Sequence, residues 1–91
     1  MKIGFDPAKR ARNLAKHGLD LADADRVFGR TCLHLPDDRD DYGEERIVSF
    51  GLLYETVVVC VWTERGDERR IISLRKATAN EQKVYFSANY D

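Results

Sequence analysis

Ninety-one residues, 43% hydrophobic and 34% charged, describe one folded domain with a single core and no room for a second. That balance excludes a disordered or low-complexity chain, and a net charge of −1 argues against an indiscriminate nucleic-acid binder. No apolar run nears the roughly 18 residues of a membrane span, and Met1-Lys2-Ile3-Gly4 leads into no apolar signal region, so a cytoplasmic protein is expected.

The charge is unevenly spread. Residues 1–19 carry five Lys/Arg against one acid, residues 20–45 nine acids against three Arg, and the remainder seven bases against six acids. Arg65, Arg69, Arg70, Arg75 and Lys76 are bunched in the last third. A fold that joins the two basic regions would build a cationic patch on a neutral chain.

In chain order, residues 3–5 offer an additional N-terminal strand. Asp6-Pro7 opens a helix over 7–17, with an N-cap acceptor followed by proline at the first helical position. Ala8, Ala11, Leu14 and Ala15 form its apolar stripe, Lys9, Arg12 and Lys16 lie on another face, and Gly18 supplies the left-handed stop. Asp20 caps a second helix whose Leu21, Ala24, Val27 and Phe28 share one side, ended by Gly29. From Thr31 the period becomes that of strands: residues 31–35, stopped by Pro36, then 46–51, 55–63 and 70–75. The third is apolar on both faces and so central; Cys60 within it reads as a small buried apolar group. Two isolated cysteines in such a chain suit a reducing compartment. Gly66 in Glu64-Arg65-Gly66-Asp67 is placed for positive φ at a hairpin turn. Thr78-Ala79-Asn80-Glu81 is a capping box that opens a last helix toward Ala88. The expected class is α+β: two N-terminal helices, an antiparallel sheet of about four strands and a C-terminal helix.

No metal site or cofactor is indicated. His17 and His34 lie in different elements, and the acidic stretch 37–41 lacks the terminal Glu of a calcium loop, which leaves it a solvated turn. The glycines are scattered, so no phosphate-cradling loop exists, and no strained Ser elbow is visible. What remains is positive charge. On a regular strand over 70–75, Ile72 and Leu74 would face the core while Ser73 and Arg75 point away. Arg65 precedes that strand at the hairpin and Arg46 starts a neighbouring one. Arginine grips a phosphate through two parallel hydrogen bonds. Cleavage of RNA without a metal needs a base for the 2′-hydroxyl, cations for the pentavalent phosphate and an acid for the leaving oxygen. Candidate bases are Glu45, Glu64 and His17; candidate cations are Arg46, Arg65, Arg75 and Lys76. Lys9, Arg12, Lys16 and Arg70 would extend the charge for RNA binding, and Tyr42 offers a ring for base stacking. Trp62 has a ring too, but its central strand marks it as core. Taken singly, an arginine is more often a surface ion pair, and His17 a complement to the helix dipole.

Taken together, the blocks Phe5-Asp6-Pro7-Ala8-Lys9, Asn13-Leu14-Ala15-Lys16-His17-Gly18, Ala24 to Phe28 ending in Val-Phe, Asp41-Tyr42-Gly43-Glu44-Glu45-Arg46, Thr63-Glu64-Arg65-Gly66 and Arg70-Ile71-Ile72-Ser73-Leu74-Arg75-Lys76-Ala77 carry a specific signal through their order. The chain resembles the BrnT toxins, within the RelE-like group of ribonuclease toxins, over nearly its whole length as one domain, residues 1–91. The resemblance implies a helix pair, an antiparallel sheet and a C-terminal helix. It also implies RNA cleavage that stops translation, and neutralisation by an antitoxin of the BrnA type, whose ribbon-helix-helix half would bring DNA binding to the complex. Carried over by position, the functional residues are Arg46, Arg65, Arg75 and Lys76, with Lys9, His17 and Glu64 beside them. Asp40 stands where the family often has His, which shifts weight to arginines and carboxylates. Gln82 and Lys83 replace a common Glu-Arg pair. A non-catalytic module that binds a DNA-binding antitoxin and modulates operon repression is the alternative reading, and a small-molecule hydrolase a distant third.

Overall fold

A computed structural model describes residues 2–38 and 43–89, of residue 89 the backbone only. Asp40 and Tyr42 lie outside the described residues. The elements are β1 (Lys2–Phe5), α1 (Pro7–His17), a 3₁₀ turn (Leu21–Asp23), α2 (Ala24–Phe28), β2 (Leu33–Pro36), β3 (Ile47–Leu53), β4 (Thr56–Arg65), β5 (Glu68–Lys76) and α3 (Ala79–Asn89). This is the expected α+β class, with the second helix begun as a tighter turn. One five-stranded sheet has the order β1-β5-β4-β3-β2. The meander from β2 to β5 is antiparallel, as the two-residue connections require for β3, β4 and β5. β1 joins it in parallel alongside β5, so the sheet is mixed rather than wholly antiparallel.

Local chemistry sets the ends. The Asp6 carboxylate accepts the Ala8 N–H at 2.8 Å, and Gly18 at φ 70° returns its own N–H to the Leu14 carbonyl at 2.9 Å. At the β4–β5 hairpin Arg65 pairs Glu68 around a two-residue turn in which Gly66 has φ 61°. The Thr78–Glu81 capping box closes in both directions, at 2.8 and 3.2 Å.

The principal core fills the face beneath α2: Leu21, Ala24, Val27, Leu53, Val58, Cys60, Trp62, Ile71 and Leu74. Burial pushes the Cys60 thiol up to about 12, so it packs as an apolar group. Helix α2 comes close to β3 at Gly51, where an added Cβ would fall 2.7 Å from a Val27 methyl. The other face carries a smaller cluster, Phe50, Val57, Val59 and Tyr85, under α3. The two clusters account for burial on both sides of β4.

Two expectations fail. The stripe Ala8, Ala11, Leu14 and Ala15 is exposed, and Asn13 is the buried residue of α1. Its amide bonds the Leu74 carbonyl and N–H at 2.8 and 3.1 Å and the Leu19 carbonyl at 2.9 Å. Strand β1 pairs with β5 only as far as Ile71, so among the described residues the next stretch of that edge has no strand beside it. Asn13 stands in for the missing strand, and α1 is moored by an amide rather than by grease. Second, Ile72 and Leu74 do not share a face. Val61 pairs Ser73 while Trp62 pairs Ile71, leaving Ile72 as an extra residue, and the core takes Ile71 and Leu74.

Replacing Asn13 by Leu should leave two buried backbone groups of Leu74 unpaired and lower stability by about 2–4 kcal/mol. Urea unfolding would measure this; a loss below about 0.5 kcal/mol would show that water replaces the amide without penalty.

Candidate functional site

Strand alternation, reset by the bulge, decides which basic residues meet. On the face away from α2, β4 presents Val57, Val59, Val61, Thr63 and Arg65, while β5 presents Arg70, Ser73 and Arg75 through the pairs Thr63–Arg70, Val61–Ser73 and Val59–Arg75. Helix α3 covers one end of this face, where Tyr85 is 3% exposed and donates to the Thr31 carbonyl at 3.0 Å. Among the described residues the other end is left uncovered. A cleft of about 480 Å³ lies there, with an apolar floor of Val48, Phe50, Val59 and Val61. Its walls bring Lys16 and His17 from the end of α1, Asp37 and Asp38 from the end of β2, Ser73 and Arg75 from β5, and Glu81 from α3.

Arg75 and Glu81 form a two-point ion pair at 2.7 and 2.8 Å. Glu81 accepts the Thr78 N–H as well. The Arg75 guanidinium, ahead of the capping bond, holds this carboxyl down at about 2, well below the usual carboxylate range. Glu81 is thus a fixed anion that orients Arg75, not a group that takes up protons near neutrality. Asp37 is 8% exposed and its N–H donates to the Arg46 carbonyl at 2.8 Å, which draws it into the cleft wall. The solvated turn expected for 37–41 therefore fails at its first residue: pairing at the end of β2 and β3 buries what composition places in water.

Two further recesses continue the cleft. One of about 330 Å³ runs along α1 past Lys9, Arg12, Lys16 and His17, opposite Ile72 and Ser73. The next, about 180 Å³, lies between Asp6, Lys9, Glu44, Thr63, Arg65, Arg70, Ile71 and Ile72. Lys16, His17 and Ser73 border both the cleft and the first recess, and Lys9 and Ile72 border both recesses. Of the residues selected from sequence, Lys9, Arg12, Lys16, His17, Arg65, Arg70 and Arg75 are brought together on one side.

The others are not. Lys76 lies across the sheet beside Leu14, Asp20, Asp23 and Val58. Glu64 sits with Glu44 and Glu45 in an acidic hollow, so both carboxylates considered as bases are away from Arg75. Arg46, at the head of β3, is 3.9 Å from Glu44, which also meets Arg65 at 3.5 Å. Arg69 departs from its basic neighbours too, stacking 4.1 Å from the Phe28 ring centroid and 4.9 Å from that of Trp62. Asp37, Ser73 and Glu81 were not selected as site residues. Only Glu81 left a sequence signal, as the carboxylate of the capping box six positions after Arg75. Among the described residues no group of three His, Cys, Asp or Glu is placed to hold a metal ion.

The model of the family described as "Ribonuclease toxin, BrnT, of type II toxin-antitoxin system" matches residues 5–81. The chain belongs to the BrnT family. No curated protein matches it. The matched segment includes α1, the whole sheet from β2 to β5 and Glu81, so every wall of the cleft falls inside it. Membership makes the chain a ribonuclease toxin of a type II system, in which a protein antitoxin is the partner. No helix among the described residues is long and apolar enough to cross a membrane.

Because the Glu81 carboxyl is depressed from 4.5 to about 2, its contribution is fully present above pH 4.5 and lost as pH falls toward 2. In Glu81→Gln that acid-sensitive step should vanish, at a cost near neutrality of about 1 kcal/mol for a partly solvated pair. Melting temperature followed from pH 7 to pH 2 checks this; parallel curves for both proteins would remove Glu81 from the account.

Proposed function

We propose that the open cleft is where this toxin cuts RNA, without a metal, by attack of a ribose 2′-hydroxyl on the adjacent phosphate. The observation that carries the reading is the meeting of Lys16, His17 and Arg75 around an apolar floor, with Asp37 in the facing wall. In the reaction a base removes the 2′-hydroxyl proton and the 2′-oxygen bonds to phosphorus. The bond to the 5′-oxygen breaks, and an acid returns a proton to that oxygen. The products are a 2′,3′-cyclic phosphate and a free 5′-hydroxyl. Arg75, held by Glu81, and Lys16 supply positive charge where the pentavalent phosphate gathers negative charge. His17 and Asp37 take and return the protons, since both border the cleft and both side chains exchange protons in aqueous chemistry. The apolar floor keeps water off one side of the site and strengthens these electrostatic interactions.

In this reading, cleavage of cytoplasmic RNA stops translation, and a BrnA-like antitoxin neutralises the toxin and brings DNA binding to the pair. Glu64 and Lys76 take no part in the chemistry because they lie elsewhere on the molecule. Arg46 holds the Asp37 backbone rather than the phosphate.

Purified protein should cut RNA in the presence of a chelator and leave cyclic-phosphate ends. His17→Ala and Arg75→Ala should each slow cleavage by roughly a hundredfold or more and abolish growth arrest when expressed without antitoxin. Wild-type protein that binds antitoxin yet leaves RNA intact, with ribosomes supplied, would leave the non-catalytic module standing.

A further inference from the structure

Beyond Lys16, which serves the cleavage chemistry, the recesses hold charge that this chemistry does not use. On α1, Lys9, Arg12 and Lys16 recur at spacings of three and four and so share one face. Arg10, on the opposite side of the same helix, is bound to Asp20 by two contacts of 2.8 Å. Among the described residues no ion pair joins Lys9, Arg12 or Lys16 to an acid. Of the two carboxylates that line the far recess with Lys9, Asp6 caps the helix and Glu44 meets Arg46 and Arg65. Three like charges in a row repel one another, and a fold gains nothing from the arrangement alone. At the far end Arg65 and Arg70 face Lys9 across a recess of about 180 Å³, held only loosely by Glu44 at 3.5 Å and Glu68 at 3.8 Å.

We infer that this row is a distal binding tract for the backbone phosphates of single-stranded RNA, running from the cleft past Lys16, Arg12 and Lys9 to a terminal phosphate subsite at Arg65 and Arg70. The inference rests on the cleavage reading for its direction, because the tract begins at His17 and Ser73, which border the cleft. Lys9 to Lys16 spans roughly 10 Å of helix, and Arg70 to Arg75 about 16 Å of strand. Both lengths exceed a single phosphodiester, so a strand that fills them is engaged well beyond the bond that is cut. The cations stand on the helix wall, whereas Ile72 and the floor residues Val48 and Val61 face the strand from the sheet. A backbone on the wall turns its bases toward that apolar surface, which requires them to be unpaired. Contacts to phosphate carry no sequence information, so the tract confers strand length and single-strandedness rather than base choice.

The test uses the full chain and an uncleavable 2′-O-methyl oligonucleotide of about a dozen nucleotides, with binding followed by anisotropy over a range of salt. Lys9→Ala/Arg12→Ala/Arg70→Ala should weaken binding at least tenfold at low salt. It should also flatten the plot of log affinity against log salt by about 2, at roughly 0.7 per lost phosphate contact. Arg26→Ala removes the same kind of charge from the helix on the opposite face and should leave that slope in place. Single substitutions, checked for fold by circular dichroism, should each give about a third of the change. An unchanged slope in the triple variant overturns the tract, as does equal affinity for a duplex of the same length. Loss of antitoxin binding with the oligonucleotide slope intact overturns it too, and assigns the cations to an acidic protein segment. If wild type binds with the expected slope but cuts nothing, the cleavage reading fails while the tract survives. If it cuts RNA but the slope is insensitive to the three substitutions, the reverse holds.

Discussion

The extra residue in β5 is the constraint on which the site depends. Arg70 and Arg75 are five positions apart, which in a regular strand puts them on opposite faces. Opposite the Val61–Trp62 step, Ile72 is inserted without a partner, and the alternation starts again one residue later. Both arginines then face away from α2, while Ile71 and Leu74, on either side of the insertion, enter the same core. Without the bulge either a guanidinium would lie under α2 or an isoleucine would be lost from it. The same insertion places Ile72 on the lining of both recesses.

Asn13 plays the complementary part for α1. A helix attached through an apolar stripe would be free to roll on the sheet edge within the tolerance of its packing. An amide bonded to both backbone groups of Leu74 and to the Leu19 carbonyl fixes height and rotation together. The cations at Lys9, Arg12 and Lys16 and the imidazole of His17 take their positions from that fixation. The exposed Leu14 and alanines are its consequence, since the face that meets the sheet edge is the one that carries the amide.

The two sides of the sheet differ in kind. Beneath α2 the core is continuous, and within it the Ser49 hydroxyl takes the Trp62 indole N–H at 2.7 Å and meets His34 Nδ1 at 2.6 Å. Desolvation, ahead of the nearby Arg69 charge, holds His34 below its ordinary value. Across the sheet α3 covers only part of the surface, and the uncovered part holds the open charge. A ribonuclease toxin needs such a division, with a face that keeps the chain folded and another that remains open to a polyanion.

Much of this was legible in local chemistry. The Asp6 and Thr78 caps, the Gly18 and Gly66 stops, the doubly apolar β4 and the order of elements all follow from short-range rules, and the family from motifs in sequence order. The cationic side was legible in part, because charge clustering shows which residues are available but not which way they point. Strand alternation answers that only while the register is regular, and neither the bulge nor the parallel docking of β1 leaves a mark in the pattern of apolar residues. Partner choice across long sequence distances decided the rest: Asn13 on an edge sixty-one residues away, Asp37 drawn under the Arg46 carbonyl, and Lys76 and Glu64 turned from the cleft. The amino-acid order by itself determined the order of the elements, the caps at Asp6, Gly18, Gly66 and Thr78, and the family, since each depends on residues close in the chain. Which charges meet was decided only by the tertiary structure, because a one-residue change of register moves a side chain to the other side of the sheet.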